Sequence, residues 1–210
     1  MKKTFVLVSL FVLPVVIYMF FASGVYNFGK LPVLTTDIAS INTKDSKVSF
    51  DNKITILGFL GNAIENKKGN AFNLNQKIYK RFYKFNDFQF VMMVPKGSEN
   101  KVAELKKELG HLVDIKKWNF IFSEEQDIKN VFNSLNTDLE LDDDLGSPFV
   151  FIIDKDGNLR GRDDDEDEGV KYGFNTTSVA DLNNKMEDDV KIILAEYRMA
   201  LKKNNANRGK

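Results

Sequence analysis

From Lys53 onward, short apolar runs alternate with longer segments of helical periodicity, and this alternation limits the possible folds more than any other feature. Short apolar runs between polar residues are typical of buried strands, and apolar spacings of three and four residues are typical of helices. The predicted strands are 54–60, 88–94, 118–122, 149–153 and 159–162, and the predicted helices are 71–85, 101–109, 123–135 and 179–202. The order β-α-β-α-β-α-β-β-α predicts an α/β fold in which helices flank a mixed sheet.

Local motifs sharpen some of these boundaries. Ser98 is predicted to cap the helix that ends at Gly110, and residues 123–126 (SEEQ) have the pattern of a capping box. Residues 154–158 (DKDGN) predict a tight turn. A calcium loop is disfavoured there, because the glycine is the fourth residue of the motif and not the sixth.

The chain contains no cysteine. Disulfides, thiolate nucleophiles, iron–sulfur clusters, cysteine-ligated zinc and lipid-modified cysteine anchors are therefore excluded. The 30 basic and 30 acidic residues give a net charge of zero, so no global attraction to nucleic acid is expected.

The N-terminal segment carries no charged residue between Lys3 and Lys30. Within it, residues 5–22 (FVLVSLFVLPVVIYMFFA) are apolar over the length that a transmembrane helix needs. The two lysines before this run predict a cytoplasmic N-terminus, and hence a domain on the extracytoplasmic (periplasmic) side of a membrane. The alternative is a cleaved signal peptide, since residues 22–24 resemble a cleavage site. Both interpretations place the domain on the same side.

The predicted domain organisation has four parts. Residues 1–24 form the anchor or uncleaved signal, and residues 25–50 form a linker that mixes Gly, Pro, Thr, Ser, Asn and Asp without a sustained period. Residues 51–202 form the folded domain, and residues 203–210 form a polar tail.

A closing hairpin followed by a helix is the thioredoxin-type arrangement, and four segments make the resemblance more specific. They are ELKKELG at 104–110, KKWNFIF at 116–122, SPFVFIIDKDGNLRGR at 147–162 and LNNKMEDDVKIILAEY at 182–197. In this order and spacing the chain resembles, from about residue 53 to 200, the Sco/SenC family. These are membrane-anchored proteins of thioredoxin fold that are associated with copper delivery to cytochrome oxidase. The resemblance implies a thioredoxin-like mixed sheet behind an N-terminal transmembrane helix.

The family's copper site needs two cysteines four residues apart after the first strand and a histidine before the fourth. Soft thiolates and imidazole together select copper. On this sequence the cysteine positions fall at Ile64 or Glu65 and at Lys68 or Gly69, and the histidine position falls at Gly146. All of these ligand positions are empty, and a lysine in the loop would repel a cation. The resemblance therefore implies a degenerate site with no metal, no cofactor and no catalytic residue.

Pro148 adds a second likeness. It stands six residues before Asp154, where related thioredoxin-like reductases carry a cis-proline beside the active site. Pro148 is therefore a candidate cis-proline.

Other residues that could carry chemistry have simpler explanations. His111 is the only histidine and follows the end of a predicted helix, so a metal or hydrolase site built on it lacks partners. Residues 163–168 (DDDEDE) predict a solvated loop, with weak cation binding or docking of a basic partner as alternatives. Met92 and Met93 are adjacent on a predicted strand and should therefore face opposite sides of the sheet.

Taken together, these patterns predict a non-enzymatic interaction or assembly module at a membrane surface, with a protein partner. One alternative is metal handling through residues 163–168, the two methionines and His111. Another is a residual role in assembling a respiratory oxidase or its copper site. No group of residues in the sequence supports an enzyme that works without cysteine.

Overall fold

A computed structural model describes residues 2–22, 29–41 and 48–208. Some of the predictions fall partly outside these residues. They concern the possible cleavage site at 22–24, the linker at 25–28 and 42–47, and the last two residues of the tail.

The domain consists of alternating strands and helices, as predicted. In chain order the elements are helix α1 (Lys2–Ala22), strands β1 (Val33–Thr35) and β2 (Ile54–Leu60), helix α2 (Ile64–Leu74), a π-helical turn (Asn75–Tyr79), helix α3 (Lys80–Phe82), strand β3 (Phe88–Pro95), helix α4 (Glu99–Gly110), strand β4 (Trp118–Ser123), helix α5 (Glu125–Ser134), strands β5 (Gly146–Ile153), β6 (Leu159–Arg160), β7 (Arg162–Asp165), β8 (Gly169–Lys171) and β9 (Phe174–Asn175), helix α6 (Val179–Asp181), a second π-helical turn (Leu182–Met186) and helix α7 (Glu187–Arg208).

The main sheet is mixed and has the order β1-β6-β5-β2-β3-β4, with β9 also paired to β5. Strands β2, β3 and β4 are parallel, which is possible because α2 and α4 provide the crossovers. Strand β5 returns antiparallel beside β2, with Ile152 opposite Ile56. The prediction of a mixed sheet flanked by helices is confirmed.

Side chains alternate across the sheet and build one core on each face. In β3, Phe90 and Met92 pack under α2, α4 and α7, whereas Val91 and Met93 pack under α5 and Ile38. The two methionines thus lie on opposite faces, as predicted. Burying an aromatic or aliphatic side chain of this kind stabilises the fold by about 1.5–3 kcal/mol.

Part of the predicted linker packs on the domain. Strand β1 pairs with β6, and Leu31, Ile38 and Phe50 are buried. The sequence shows no period here because the segment contributes single apolar residues to the core rather than a regular face. The helix that was predicted to end at 202 continues as α7 to Arg208.

Three helix starts differ from the prediction. The capping box at 123–126 is wrong, because β4 extends through Ser123 and Glu124 occupies the cap position without a side-chain capping bond. Ser98 is at the cap position of α4, but its side chain makes no capping hydrogen bond either. Helix α2 begins at Ile64, so most of the predicted polar loop before residue 71 is helical.

Residues 163–168 do not form the loop that was predicted, although all of them except Asp165 are exposed. They belong to the hairpin of β7 and β8, which is closed by Gly169 at a φ of +72°. Asp165 is buried in this hairpin, whereas its acidic neighbours are exposed. The loop prediction failed because the partner that buries Asp165 lies far along the chain, on the helical segment after β9.

Pro148 is not a cis-proline: no peptide bond among the described residues is cis. The chain runs through Pro148 as part of β5, so no tight turn requires the cis isomer. The pairing between β2 and β5 shifts register between Gly58 and Leu60, opposite residues 146–150. An irregularity of this kind is where a strand accepts a proline, which has no N–H to donate.

The N-terminal helix was predicted to be a transmembrane helix. Counted over the residues whose placement is described, no helix combines the length and the apolarity of a membrane span.

Candidate functional site

The predicted cysteine positions lie in the first turns of α2, on different sides of that helix. Ile64 is buried in the core, and Gly69 is exposed. Glu65 lies 3.5 Å from Lys101 on α4, and Lys68 pairs with Glu108 on the same helix. None of these four residues faces Gly146, so the structure does not bring the predicted positions together.

The α2 residue that does face Gly146 is Lys67. A β-carbon on residue 146 would lie 2.7 Å from the Nζ atom of Lys67. The lysine side chain is only 11 % exposed, and its ammonium pairs with Asp142. A built-in cation therefore occupies the space next to the predicted histidine position.

Asp142 holds the loop that leads into β5. One of its carboxylate oxygens, Oδ1, accepts hydrogen bonds from the backbone N–H groups of Asp144 (3.1 Å) and Gly146 (2.7 Å), and the other pairs with Lys67. Gly61, which follows β2, packs closely against this loop. It has a φ of +67°, and a β-carbon there would lie 2.5 Å from the carbonyl oxygen of Asp144. A side chain at Gly61 would displace this loop, because the atoms that it would meet belong to the backbone.

These contacts set the ionisation of Asp142. Burial acts to raise the pKa of its carboxyl, but the hydrogen bonds from Lys67 and from the backbone of Gly146 and Asp144 outweigh burial and lower the pKa below its usual value. At neutral pH the carboxyl group of Asp142 is therefore ionised.

A narrow space, which we name the α2 cleft, lies between α2 and the sheet beside this ion pair. Its apolar walls include Ala71, Leu74, Met92, Trp118 and Val150. Its polar walls include Lys67, Asn70, Ser147 and Thr176. The cavity has a volume of about 20 Å³, which is enough for one water molecule. It is too small for a cofactor.

Sequence reasoning missed Lys67, although a signal was present. Ile64, Lys67, Ala71 and Leu74 follow the spacing of three and four residues that marks the buried face of a helix, so a lysine stands within an apolar stripe. Counting from the first strand cannot identify that face. It gave Ile64 or Glu65 and Lys68 or Gly69, whereas the α2 side chain next to Gly146 is that of Lys67.

The other candidate residues lie elsewhere and do not assemble a site. His111 is exposed at the C-terminal end of α4. The turn at 154–158 is confirmed, because Oδ1 of Asp154 accepts hydrogen bonds from the N–H groups of Asp156 (3.0 Å) and Asn158 (2.9 Å). Among the described residues, no group of three or more His, Cys, Asp or Glu side chains is arranged to hold a metal ion.

The acidic hairpin is tied to the helical layer by ion pairs. Lys185 lies 2.6 Å from Asp165 and 2.7 Å from Asp167, and these carboxylates raise the pKa of its ammonium. Arg162 binds Asp189 through two hydrogen bonds of 2.8 and 2.9 Å. Burial raises the pKa of Asp189, although its guanidinium partner opposes that shift. The inner carboxylates of the hairpin are thus already neutralised within the fold.

No protein-family model matches the chain, and no curated protein matches it. Solved structures do match at the level of the fold. BsSco, described as a member of the Sco family of cytochrome c oxidase assembly proteins, matches with 12 % identity and a TM-score of 0.51, over 78 % of this chain and 97 % of BsSco.

Two further structures give similar values. A putative protein disulfide isomerase from Bacteroides thetaiotaomicron has 15 % identity and a TM-score of 0.51, covering 81 % of this chain and 98 % of its own. A SCO1/SenC family lipoprotein from Bacillus anthracis has 16 % identity and a TM-score of 0.50, covering 79 % and 98 %. Likeness at these identities is informative about the fold alone. The chain has a mixed α/β, thioredoxin-like fold.

Proposed function

We propose that the protein is a non-catalytic, Sco/SenC-like module that binds a protein partner at a membrane surface and carries out neither copper transfer nor thiol redox chemistry. One observation carries this proposal: the chain has no cysteine, and the α2 residue that faces the histidine position is Lys67, paired with Asp142. Copper sites of the Sco/SenC type depend on thiolate and imidazole donors. An ammonium donates no lone pair and repels the metal.

Copper titration tests the proposed absence of copper transfer. The full-length protein in detergent, titrated with Cu(I) and with Cu(II), should bind no more metal than the detergent blank. Tight, stoichiometric binding of either ion would overturn the proposal. The same protein should show only background turnover in insulin-reduction and peroxidase assays, and robust turnover in either would overturn the non-catalytic assignment.

The apolar surface of α1 supports membrane attachment through residues 1–24. Apolar side chains from Val6 to Met19 are between 46 % and 73 % exposed around this helix. A helix that is apolar on all sides needs an apolar environment. The two lysines that precede the run support an extracytoplasmic position of the folded domain.

Membrane attachment is tested by cell fractionation. The full chain should stay with membranes after carbonate extraction and should be digested by protease added from the extracytoplasmic side. A variant that lacks residues 1–24 should be lost from the membrane. Recovery of the full chain in the soluble fraction would contradict the proposed attachment.

The likeness to an oxidase assembly protein supports one class of partner, a subunit or assembly factor of a respiratory oxidase. Deleting the gene should then lower oxidase activity, and a copy with Lys67 changed to Ala should restore it, because metal transfer is not required. Unchanged oxidase activity in the deletion strain would exclude this partner class. The proposed partner would then be another protein at the membrane surface. No observation favours metal handling through other ligands.

A further inference from the structure

The α2 cleft has one wall that can move. Most of its lining consists of strand residues or core side chains that are fixed by packing on several sides. Lys67 is different: its long side chain is anchored at its end by the pair with Asp142, whose own side chain is 42 % exposed. A partly exposed ion pair favours the paired position of a side chain over its other positions by a population ratio of only about five.

Gly146 provides the space that Lys67 fills. Because residue 146 has no side chain, the Cε and Nζ atoms of Lys67 occupy the volume that a β-carbon would take. These atoms are the far end of a flexible chain, so they can leave without any movement of the backbone. Withdrawal of Lys67 would join this volume to the α2 cleft.

Trp118 is one of the residues that line the α2 cleft. It is the only tryptophan of the chain and is 4 % exposed. Its indole Nε1 is buried and has no hydrogen-bond partner among the described residues. An indole N–H can only donate, so it is satisfied by a ligand that brings an acceptor.

We propose that Lys67 is a plug, and that its withdrawal opens the α2 cleft to small, neutral, mainly apolar molecules that carry one hydrogen-bond acceptor. The apolar walls receive the body of such a molecule, and the Trp118 N–H binds its acceptor. A charged ligand is disfavoured, because the apolar walls cannot compensate for its loss of hydration. The proposal does not depend on the proposed function, since it concerns access to the cleft and not metal or redox chemistry.

Quenching of tryptophan fluorescence by acrylamide tests the plug. Acrylamide is small and neutral and has a carbonyl acceptor, so the probe belongs to the proposed ligand class. In the full chain, Lys67→Ala should raise the Stern–Volmer constant about fivefold. Asp142→Asn should raise it less, because the asparagine oxygen can still accept the loop hydrogen bonds.

A matched control is Lys101→Ala. Lys101 also pairs with a carboxylate at the start of α2, Glu65, but it does not line the cleft. Its removal should leave quenching unchanged. Quenching of the Lys67→Ala variant equal to that of the unmodified protein, with unchanged circular dichroism, would overturn the proposal.

Binding is tested separately with propionamide, which is a similar molecule but does not quench. The indole N–H resonance of the Lys67→Ala variant should shift saturably as propionamide is added, with a lower apparent affinity in the unmodified protein, where the plug competes. A shift that is linear in concentration and equal in both proteins would overturn the assignment of a binding cleft. A positive copper titration would overturn the proposed function and leave both of these results intact.

Discussion

Lys67 and Gly146 share one space in the structure. The lysine ammonium lies 2.7 Å from the point where any other residue at 146 would place its β-carbon, and the pair with Asp142 holds it there. The position that the Sco/SenC resemblance assigns to a histidine is therefore not just empty. The end of the Lys67 side chain, from helix α2, occupies the space beside it.

Gly146→Ala should displace Lys67 from Asp142. The cost should be about 1 kcal/mol of unfolding free energy, since the ion pair that is lost is partly exposed. Urea unfolding measures it. In a Lys67→Ala background the same substitution should cost clearly less. Equal costs in both backgrounds would assign the conflict instead to the carbonyl of Leu60, whose oxygen lies 3.0 Å from the position that the alanine methyl would take.

Adding donors of the Sco/SenC type should create a copper site. Because Lys67 faces Gly146, we place the donors at Lys67, at Ala63 four residues before it, and at Gly146, and we expect the variant Ala63→Cys, Lys67→Cys, Gly146→His to bind Cu(I) stoichiometrically. Removing Lys67 also makes room for the imidazole. The control places the cysteines one residue later, at Ile64 and Lys68, where the two side chains do not face residue 146. Equal binding by both variants would show that the register is wrong.

Arg160→Met should destabilise the domain strongly. The buried guanidinium donates to the carbonyl of Leu31 (2.7 Å) and to Glu196 (2.7 Å), and pairs with buried Asp154 at 3.1 Å. Breaking a buried pair leaves a charge without compensation, which costs about 3–5 kcal/mol.

Lys116→Met is the control for Arg160. The Lys116 side chain is 86 % exposed beside Asp114, and its loss should change the unfolding free energy by no more than about 0.5 kcal/mol. Urea unfolding of both variants measures these changes in the unfolding free energy. Similar stabilities would mean that Arg160 does not join the N-terminal segment to α7.

Asp165 should make stability depend on acid pH. Burial acts to raise the pKa of this carboxyl, but the hydrogen bonds from Lys185 and from the backbone of Asp167 and Glu168 outweigh it and lower the pKa below its usual value. A carboxyl whose pKa is lower in the folded state stabilises the fold above its unfolded pKa, and this contribution is lost as the pH falls through the folded value.

Asp165→Asn should accordingly cost about 1–3 kcal/mol at neutral pH and much less at about pH 2.5. Unfolding free energies at the two pH values measure the difference. Asp163→Asn, on the exposed side of the same hairpin, should cost little at either. An Asp165→Asn cost that is independent of pH would contradict the role given to the charge.

Asn75→Leu should stabilise the protein by about 1 kcal/mol. Asn75 is fully buried in the first π-helical turn, and neither amide atom has a hydrogen-bond partner among the described residues. Leucine has nearly the same shape without the polar cost. Asn73→Leu is the control, because Asn73 donates to the carbonyl of Thr176 at 3.1 Å and its loss should destabilise. Destabilisation by Asn75→Leu in thermal unfolding would mean that the amide is hydrogen-bonded in solution.

The main strands could be predicted from the sequence because their signal is local. Residues 54–60 are buried along their whole length, and the run is apolar without a break apart from one threonine and one glycine. The predicted strand at 88–94 differs from β3 by a single residue. Each of these runs is stabilised by burial on both faces, which requires apolar residues whatever the neighbours are.

Features that depend on a distant partner were not predictable in the same way. Whether residues 163–168 are solvated or paired depends on Lys185, and whether part of the linker packs depends on where Arg160 lies. The isomer of Pro148 follows from the path of β5 and not from its neighbours in sequence.

The sequence by itself determined that this protein performs no thiol chemistry, because a chain without cysteine has no sulfur nucleophile or thiolate ligand in any conformation. It also determined the order of the main strands and helices, because apolar periodicity is a property of neighbouring residues. Only the tertiary structure decided that Lys67 fills the place beside Gly146. That contact joins the buried face of a helix to the start of a strand much later in the chain, and the packing of α2 on the sheet alone decides which residue of the helix reaches it.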